Sequence, residues 1–160
     1  MDAFNQIYRL TKLRKYNRAL TLLVDPQTGR LRAPFASDAN HAWYVVGDIL
    51  FKKDDYRGAL PIFKKVLRTR PDDYQAMWAI ADCYSLLKRP AFAQRYFRKA
   101  IELAPKKKTR EELRYNLGNA QFDQQRFKEA IELYESIAKE NRNLYKMAQK
   151  NLALAKRFIR

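Results

Sequence analysis

The chain has 160 residues, of which 47% are hydrophobic, so it carries enough apolar material for the core of one ordinary domain. No apolar run reaches the roughly 18 residues of a conventional membrane-spanning helix. The first ten residues include Asp2 and Arg9 and lack the apolar block and cleavage site of a signal peptide, so we expect a cytoplasmic protein.

Charge is the unusual feature of the composition. Lys and Arg number 33 against 17 Asp and Glu, and the resulting net charge of +16 favours acidic partners. The single cysteine, Cys83, cannot form an internal disulfide, and no metal-ligand spacing surrounds it. The only histidine, His41, cannot be paired with a nucleophile by spacing, and no glycine-rich phosphate loop occurs. We therefore expect no enzyme, no metal and no cofactor.

Residues 1–24 form a predicted helical hairpin. Phe4, Ile7 and Leu10 recur at helical spacing, and Tyr16 and Ala19 restart the pattern after a polar break. The same aromatic-x-x-Ala spacing returns at 56–59 and at 127–130. The hairpin is therefore interpreted as a degenerate copy of a unit that recurs later in the chain.

Residues 25–39 interrupt the helical pattern. Asp25-Pro26 and Thr28-Gly29 have turn chemistry, and Pro34 does not suit a helix interior. A connection of this length is either functional or packed. We favour a packed connector, with Leu31 and Phe35 turned inward, over a binding lid. Helix N-caps are available at its end from Ser37, Asp38 and Asn40.

Residues 40–73 and 74–107 repeat one pattern at an offset of 34 residues. The matching pairs are Trp43 and Met77, Val46 and Ile80, Gly47 and Ala81, Ala59 and Ala93, Phe63 and Phe97, Val66 and Ala100, and Pro71 and Pro105. A fixed period of this length is typical of stacked helix-turn-helix units.

Asp72 or Asp73 is the predicted N-cap of the second unit, and Pro90 suits the first turn of a helix. Pro61 predicts a kink or a later helix start.

Residues 108–142 form a third copy after a slip. Ala81 and Gly118, like Phe97 and Tyr134, are 37 residues apart, so we place a three-residue insertion in the turn around 106–108. Thr109 and Glu112 then suggest a capping box.

Residues 143–160 form a predicted capping helix that contains no acidic residue. A possible anionic contact on that helix comprises Lys146, Lys150 and Arg157.

These features resemble the tetratricopeptide repeat: a bulky residue, a small one four positions on, a small one mid-unit, an aromatic, a small one and a closing proline. The resemblance implies an all-α fold, a right-handed superhelix of antiparallel helix pairs. It gives three clear repeats, a degenerate N-terminal hairpin and a C-terminal capping helix within a single domain over residues 1–160. In this family the first helix of each unit lines a concave groove that holds a partner's peptide or helix.

The resemblance assigns groove positions to this chain residue by residue. They are His41, Tyr44, Asp48 and Phe51 in the first clear repeat, Gln75, Trp78, Asp82 and Ser85 in the second, and Glu112, Tyr115, Asn119 and Phe122 in the third. Aromatic rings with polar tips suit a binding surface, because they supply contact area at a small entropy cost. Cochaperones of this family hold a terminal carboxylate with Lys and Arg, and we expect no such clamp at these twelve positions.

Three functional hypotheses follow. The first is a noncatalytic adaptor that binds a segment of another protein in the aromatic groove. The second is an anion-binding module that holds nucleic acid or an anionic membrane through the basic second helices and the last helix, with steep salt dependence. The third is a secretion-type chaperone, since three repeats in a chain of this length resemble the class II chaperones of type III secretion. The charge of +16 argues against the third.

Overall fold

The computed structural model describes residues 3–159, and residues 1, 2 and 160, at the ends of the predicted hairpin and capping helix, lie outside the described residues. Within the described range the secondary structure is helical apart from one isolated bridge between Val24 and Leu31, which confirms the all-α prediction. The helices are α1 (Ala3–Lys12), α2 (Tyr16–Leu23), α3 (Ala33–Ala36), α4 (Ala39–Lys52), α5 (Tyr56–Thr69), α6 (Tyr74–Leu86), α7 (Pro90–Leu103), α8 (Lys107–Asp123), α9 (Phe127–Glu135) and α10 (Arg142–Arg157). No helix in residues 3–159 combines the length and the apolar composition needed to cross a bilayer.

The chain divides into two compact units, of which unit 1 runs up to Pro71. In unit 1, α1 packs on α2 and α3, and α4 packs on α2, α3 and α5. Ile7, Leu23 and Ile49 are fully buried in its core, because each lies on the apolar side of its helix. The connector contributes Phe35 to this core and keeps Leu31 half-buried, as expected of a packed connector.

Unit 2 begins at Asp72 and contains α6 to α10. Each helix packs on the next, and α10 also contacts α8. The core includes Ile80, Phe97, Leu113 and Tyr134, all at most 1% exposed. The last helix turns Ala148 and its neighbours on the same side toward α8 and α9, so that its apolar side is covered within the unit.

Several helix ends follow from local sequence. The carboxylate of Asp38 accepts a hydrogen bond from the His41 amide at 3.3 Å, and that of Asp73 accepts one from Ala76 at 3.0 Å. These bonds confirm both predicted N-caps. Pro90 is the first residue of α7, where its missing N–H is not needed.

Two local predictions are wrong. The helix α8 begins at Lys107 with no side-chain cap, so Thr109 and Glu112 do not form a capping box, and the extra residues lengthen the helix instead of the turn. The Arg110 guanidinium fixes this turn by donating to the carbonyl oxygens of Ala104 at 2.7 Å and Pro105 at 2.9 Å. Of the two outcomes expected at Pro61, a later helix start is excluded, since α5 begins at Tyr56 and runs through the proline.

The turn between the two helices of a hairpin has the same construction in four places. One non-glycine residue adopts a left-handed conformation there, with φ near 60°. The residue after it donates its amide to a carbonyl five positions earlier, as in a Schellman turn. These amide-to-carbonyl bonds are Lys15 to Leu10, Asp55 to Leu50, Arg89 to Tyr84 and Arg126 to Gln121. The N-terminal hairpin therefore closes in the same way as the three clear repeats.

Small residues allow the paired helices to approach closely. A Cβ added to Gly47 would lie 2.7 Å from the Phe63 ring, and one added to Gly118 would lie 2.6 Å from the Tyr134 ring. Contacts that short do not occur without displacement of a neighbour, so the small residue predicted in each first helix is a packing requirement.

Candidate functional site

Twelve predicted groove positions lie on the first helices of the three clear repeats. They are His41, Tyr44, Asp48 and Phe51 on α4, Gln75, Trp78, Asp82 and Ser85 on α6, and Glu112, Tyr115, Asn119 and Phe122 on α8. His41 and Gln75 are exposed and the other ten are half-buried. Spacings of three and four residues keep each set of four on one side of its helix. The α4 set belongs to unit 1, and the other two sets belong to unit 2.

The α4 set in unit 1 is partly occupied by contacts within the unit. The Tyr8 hydroxyl lies 2.6 Å from Nε2 of His41, and the Phe4 ring packs edge-on against the same imidazole at 4.6 Å. Tyr44 packs its ring against Phe63 at 5.4 Å. The predicted groove aromatic Tyr44 is therefore half-buried and takes part in packing within the unit.

A hollow of about 460 Å³ adjoins the α4 set. It is lined by Tyr8, Thr11, Lys12, Arg14, Tyr16, Val45, Asp48 and Lys52. Its three cationic side chains outnumber the one carboxylate, which pairs with Lys52 at 2.5 Å. Sequence reasoning missed these cations, although helical spacing could have found two of them, because Lys12 follows Tyr8 by four residues and Lys52 follows Asp48 by four.

The α6 set in unit 2 contains two polar groups, Trp78 and Asp82, that satisfy each other only in part. The Trp78 indole Nε1 is buried, and no acceptor among residues 3–159 reaches hydrogen-bond geometry with it. One turn further on, burial raises the pKa of Asp82 to about 7, and the nearby Trp78 N–H lowers it only in part. Asp82 forms no ion pair within the described residues. Two polar side chains on adjacent turns are thus held away from water, and their hydrogen bonds and ion pairs do not make up for the lost hydration.

Cys83 follows Asp82 but lies in the core. It is fully buried, and burial, with a smaller contribution from the Asp82 charge, raises the pKa of the thiol to about 12. A thiol in this environment is a packing group, as expected from the sequence.

The α8 set, also in unit 2, is satisfied by its neighbours. The Asn151 amide of α10 donates to the Tyr115 hydroxyl oxygen and to Oδ1 of Asn119, both at 3.0 Å. The buried Tyr134 hydroxyl donates to the same Oδ1 at 2.8 Å, and burial raises the pKa of that phenol. Asn151 was not predicted, because nothing in the spacing of α10 indicates which residue of α8 it would meet.

An aromatic cluster joins the end of α8 to the end of α10. Phe122 packs edge-on against Phe127 at 5.2 Å and Phe158 at 5.8 Å, while Phe127 and Phe158 stack at 4.6 Å. A cavity of about 180 Å³ opens beside this cluster. Its lining residues are Asn119, Phe122, Asp123, Tyr134, Asn151 and Leu154.

A larger cavity of about 580 Å³ lies where α8 and α10 begin. Lys107, Lys108 and Arg142 line it together with Glu111 and Glu140, so its charges are mixed. Glu111 is 97% buried and accepts long hydrogen bonds, both 3.4 Å, from the Ala138 amide and the Asn141 side chain. These bonds tie α8 to the turn before α10.

The predicted anionic contact on α10 is exposed. Lys146, Lys150 and Arg157 all face solvent, whereas Lys156 is engaged with Glu135 at 3.0 Å.

Comparison with known proteins identifies the architecture. Residues 40–154 match the family model described as the TT21 fifth ARM repeats domain. No curated protein matches the sequence. Among solved structures, MamA AMB-1 superposes with a TM-score of 0.76 at 19% identity and covers 99% of this chain and 88% of its own. YrrB, described as a TPR protein with an unusual peptide-binding site, gives 0.74 at 20% identity and covers 98% and 75%.

A third structure is the first TPR of Spaghetti (RPAP3) bound to the HSP90 peptide SRMEEVD. It has a TM-score of 0.67 at 21% identity and covers 86% of this chain and 98% of its own. At these identities the superpositions establish the fold, while the family match rests on the sequence. The chain folds as a tetratricopeptide-repeat protein, and it belongs to the TT21 fifth ARM repeats domain family.

Proposed function

We propose that this protein is a noncatalytic scaffold that binds segments of partner proteins on the first helices of its repeats. The observation that carries the proposal is the pair Trp78 and Asp82 on α6. The indole N–H is buried and forms no hydrogen bond of full geometry among the described residues, and the carboxyl beside it is desolvated and has no counter-ion there. Groups of this kind cost free energy in the isolated protein and point to a ligand that completes them.

A peptide backbone supplies both missing groups. A carbonyl oxygen would accept from the Trp78 indole, and a backbone N–H would donate to Asp82. Side chains one helical turn apart are separated by about 5–6 Å at Cβ. In an extended peptide the N–H and C=O of one residue point to the same side, as they do in a hydrogen-bonded strand pair. One residue of an extended segment would therefore offer a carbonyl oxygen to Trp78 and an N–H to Asp82.

Unit 1 offers a chemically different surface. Its hollow combines the tyrosines Tyr8 and Tyr16 with Lys12, Arg14 and Lys52. Tyrosine and arginine are enriched at binding hot spots, and the local excess of positive charge favours acidic side chains. The proposed partner segment for this surface is therefore acidic, in line with the overall charge of +16.

The similar structures add support of a general kind. The RPAP3 domain holds an HSP90 peptide that contains two consecutive glutamates, and YrrB has a peptide-binding site. Both facts concern those proteins. They make peptide binding a reasonable use of the same fold, while the proposal for this chain depends on Trp78 and Asp82.

Affinity capture with matched variants tests the proposal. Trp78→Ala removes the ring and its N–H, Trp78→Phe keeps an aromatic ring without the N–H, and Leu103→Ala trims an exposed apolar residue on α7 as a control. We expect partners retained by the wild type and by Leu103→Ala to be lost with Trp78→Ala and reduced with Trp78→Phe. Full retention by a folded Trp78→Ala protein would contradict the proposal.

A further inference from the structure

The last helix carries apolar residues that the fold does not bury. Met147, Leu154 and Phe158 are 50%, 42% and 57% exposed. They are spaced by seven and four residues, so they follow one side of the helix, and we call them the apolar row. The buried residues of α10 lie on a different side, toward α8 and α9. The apolar row is therefore additional to the surface that caps the repeat stack.

A row of cations runs beside the apolar row. Lys146, Lys150 and Arg157, here called the basic row, are spaced by four and seven residues and are all exposed. None of the three forms an ion pair within residues 3–159. Because no acidic residue occurs between Arg142 and Arg157, the positive field along this side of α10 is uncompensated on the helix itself.

The other edge of the apolar row faces α8. Asn151 holds this edge in place through its bonds to Tyr115 and Asn119, and the cavity of about 180 Å³ opens next to Leu154. By volume this cavity has room for a side chain of the size of leucine, and Phe122 and Leu154 form the apolar part of its lining. The Phe122 ring lines the cavity, and the Phe158 ring packs against Phe122. The surface thus combines the cavity, the apolar row and the basic row.

We infer that this surface binds an acidic amphipathic helix of a partner protein. Its apolar side would cover Met147, Leu154 and Phe158 and insert one side chain into the cavity, and its acidic side would meet Lys146, Lys150 and Arg157. The apolar row spans about 16 Å along α10, which is three turns of a partner helix. Helices bind in grooves through apolar positions with this spacing, and the flanking charges fix orientation. The inference extends the proposed scaffold function to a second surface, on α10, and specifies the partner segment for that surface.

A helix fits this surface better than an anionic bilayer does. The Asp123 carboxylate lines the same cavity, and the cavity floor is formed by Asn119, Tyr134 and Asn151. A bilayer would cover the whole lining, Asp123 included, and set that carboxylate against anionic headgroups, whereas a single side chain can contact the Phe122 and Leu154 side of the cavity. A narrow helix can instead follow the row and leave Asp123 at its solvated edge.

Two designed peptides provide the probe. Each is a fluorescein-labelled helix of about 18 residues, five turns, with leucine at positions i, i+4, i+7 and i+11. One peptide has glutamate along the side next to the leucines and the other has lysine there. Binding to the full chain is measured by fluorescence anisotropy at low and at physiological salt. Phosphatidylcholine vesicles with and without phosphatidylserine are tested in parallel by sedimentation.

Three exposed positions give matched variants. We expect the glutamate peptide to bind the wild type, to bind Leu154→Asp at least about tenfold more weakly, and to be unaffected by Leu103→Asp on α7. Lys150→Glu should weaken the glutamate peptide several-fold and improve binding of the lysine peptide. A reciprocal change of this kind depends on local charge pairing, and a general loss of folding does not produce it.

Other outcomes overturn the inference. The inference is wrong if the glutamate peptide does not bind the wild type. It is also wrong if Leu154→Asp and Leu103→Asp weaken peptide binding equally. Vesicle binding that Leu154→Asp abolishes, without peptide binding, would assign the surface to lipid. Trp78→Phe should leave the affinity for the peptide unchanged. If the peptide does not bind while capture of partners still depends on Trp78, this inference is wrong and the proposed role of α6 stands. If the peptide binds while capture does not depend on Trp78, the proposed role of α6 is wrong and this inference stands.

Discussion

The equivalent faces of α6 and α8 differ in how their polar groups are satisfied. Trp78 and Asp82 on α6 correspond to Tyr115 and Asn119 on α8, yet only the α8 pair is engaged in hydrogen bonds supplied by the rest of unit 2. The difference arises from what packs beside each helix, because α10 contributes Asn151 to the α8 face. The same repeat position is thus structural at the end of the stack, whereas in the preceding repeat we propose it as a ligand contact.

The largest expected effect comes from removing the centre of the α8 network. Asn119→Ala deprives the buried Tyr134 hydroxyl and the Asn151 amide of their shared acceptor. A buried donor left without a partner, here the Tyr134 hydroxyl, costs about 1–3 kcal/mol, and the Asn151 amide also loses one of its two bonds, so we expect the free energy of unfolding to fall by about 2–4 kcal/mol. Urea denaturation followed by circular dichroism measures this, with Asn116→Ala on the same helix as the control. A loss equal to that of the control would contradict the network.

The matched substitution on α6 should act in the opposite direction. Because the folded-state pKa of Asp82 is about 7, against an ordinary value of 3.8, folding binds a proton between these values and stability falls as pH rises through this range. We expect Asp82→Asn to remove this slope and to be more stable than the wild type by about 1–3 kcal/mol at pH 8, with little difference at pH 4. Unfolding curves across this range measure it. Parallel pH profiles for the two proteins would refute the assignment.

The smallest effect tests one bond of the α8 face. Tyr115→Phe removes the acceptor of Asn151 but leaves that amide bonded to Asn119. We expect a loss of about 0.5–1.5 kcal/mol. A double-mutant cycle with Asn151→Ala should give a coupling energy of at least about 0.5 kcal/mol, since the two residues are in contact. Strict additivity would place the two side chains apart in solution.

Much of the fold follows from local chemistry that the sequence displays. The offset of 34 residues aligns residues that must be small or bulky for helices to pack, as at Gly47 against Phe63. Asp38 and Asp73 cap their helices as predicted, because a side chain can reach an amide three residues on whatever the tertiary context. The start of α8 escaped prediction because Arg110 fixes that turn by reaching back to Ala104.

The candidate site was less accessible from sequence. Spacing predicts which residues share a side of a helix, but it does not predict which polar atoms find partners on another helix. Asn151 satisfies Asn119 across 32 positions of sequence, whereas the Trp78 indole has the Asp82 carboxylate near it but no hydrogen bond of full geometry within the described range. That the twelve groove positions form a ligand surface remains a prediction. The contrast between α6 and α8 makes Trp78 and Asp82 the first of these positions to test.

The four repeated turns provide a set of reporters for motion. Each contains one amide, at Lys15, Asp55, Arg89 or Arg126, that bonds across the mouth of its hairpin. Such an amide exchanges with deuterium only when that turn opens, so its exchange rate gives the free energy of opening of a single hairpin. Two of the four lie in unit 1 and two in unit 2. Native-state exchange under increasing denaturant would therefore show which hairpins open alone and which open together, and the hairpin protected most by a bound partner is the one that the partner clamps.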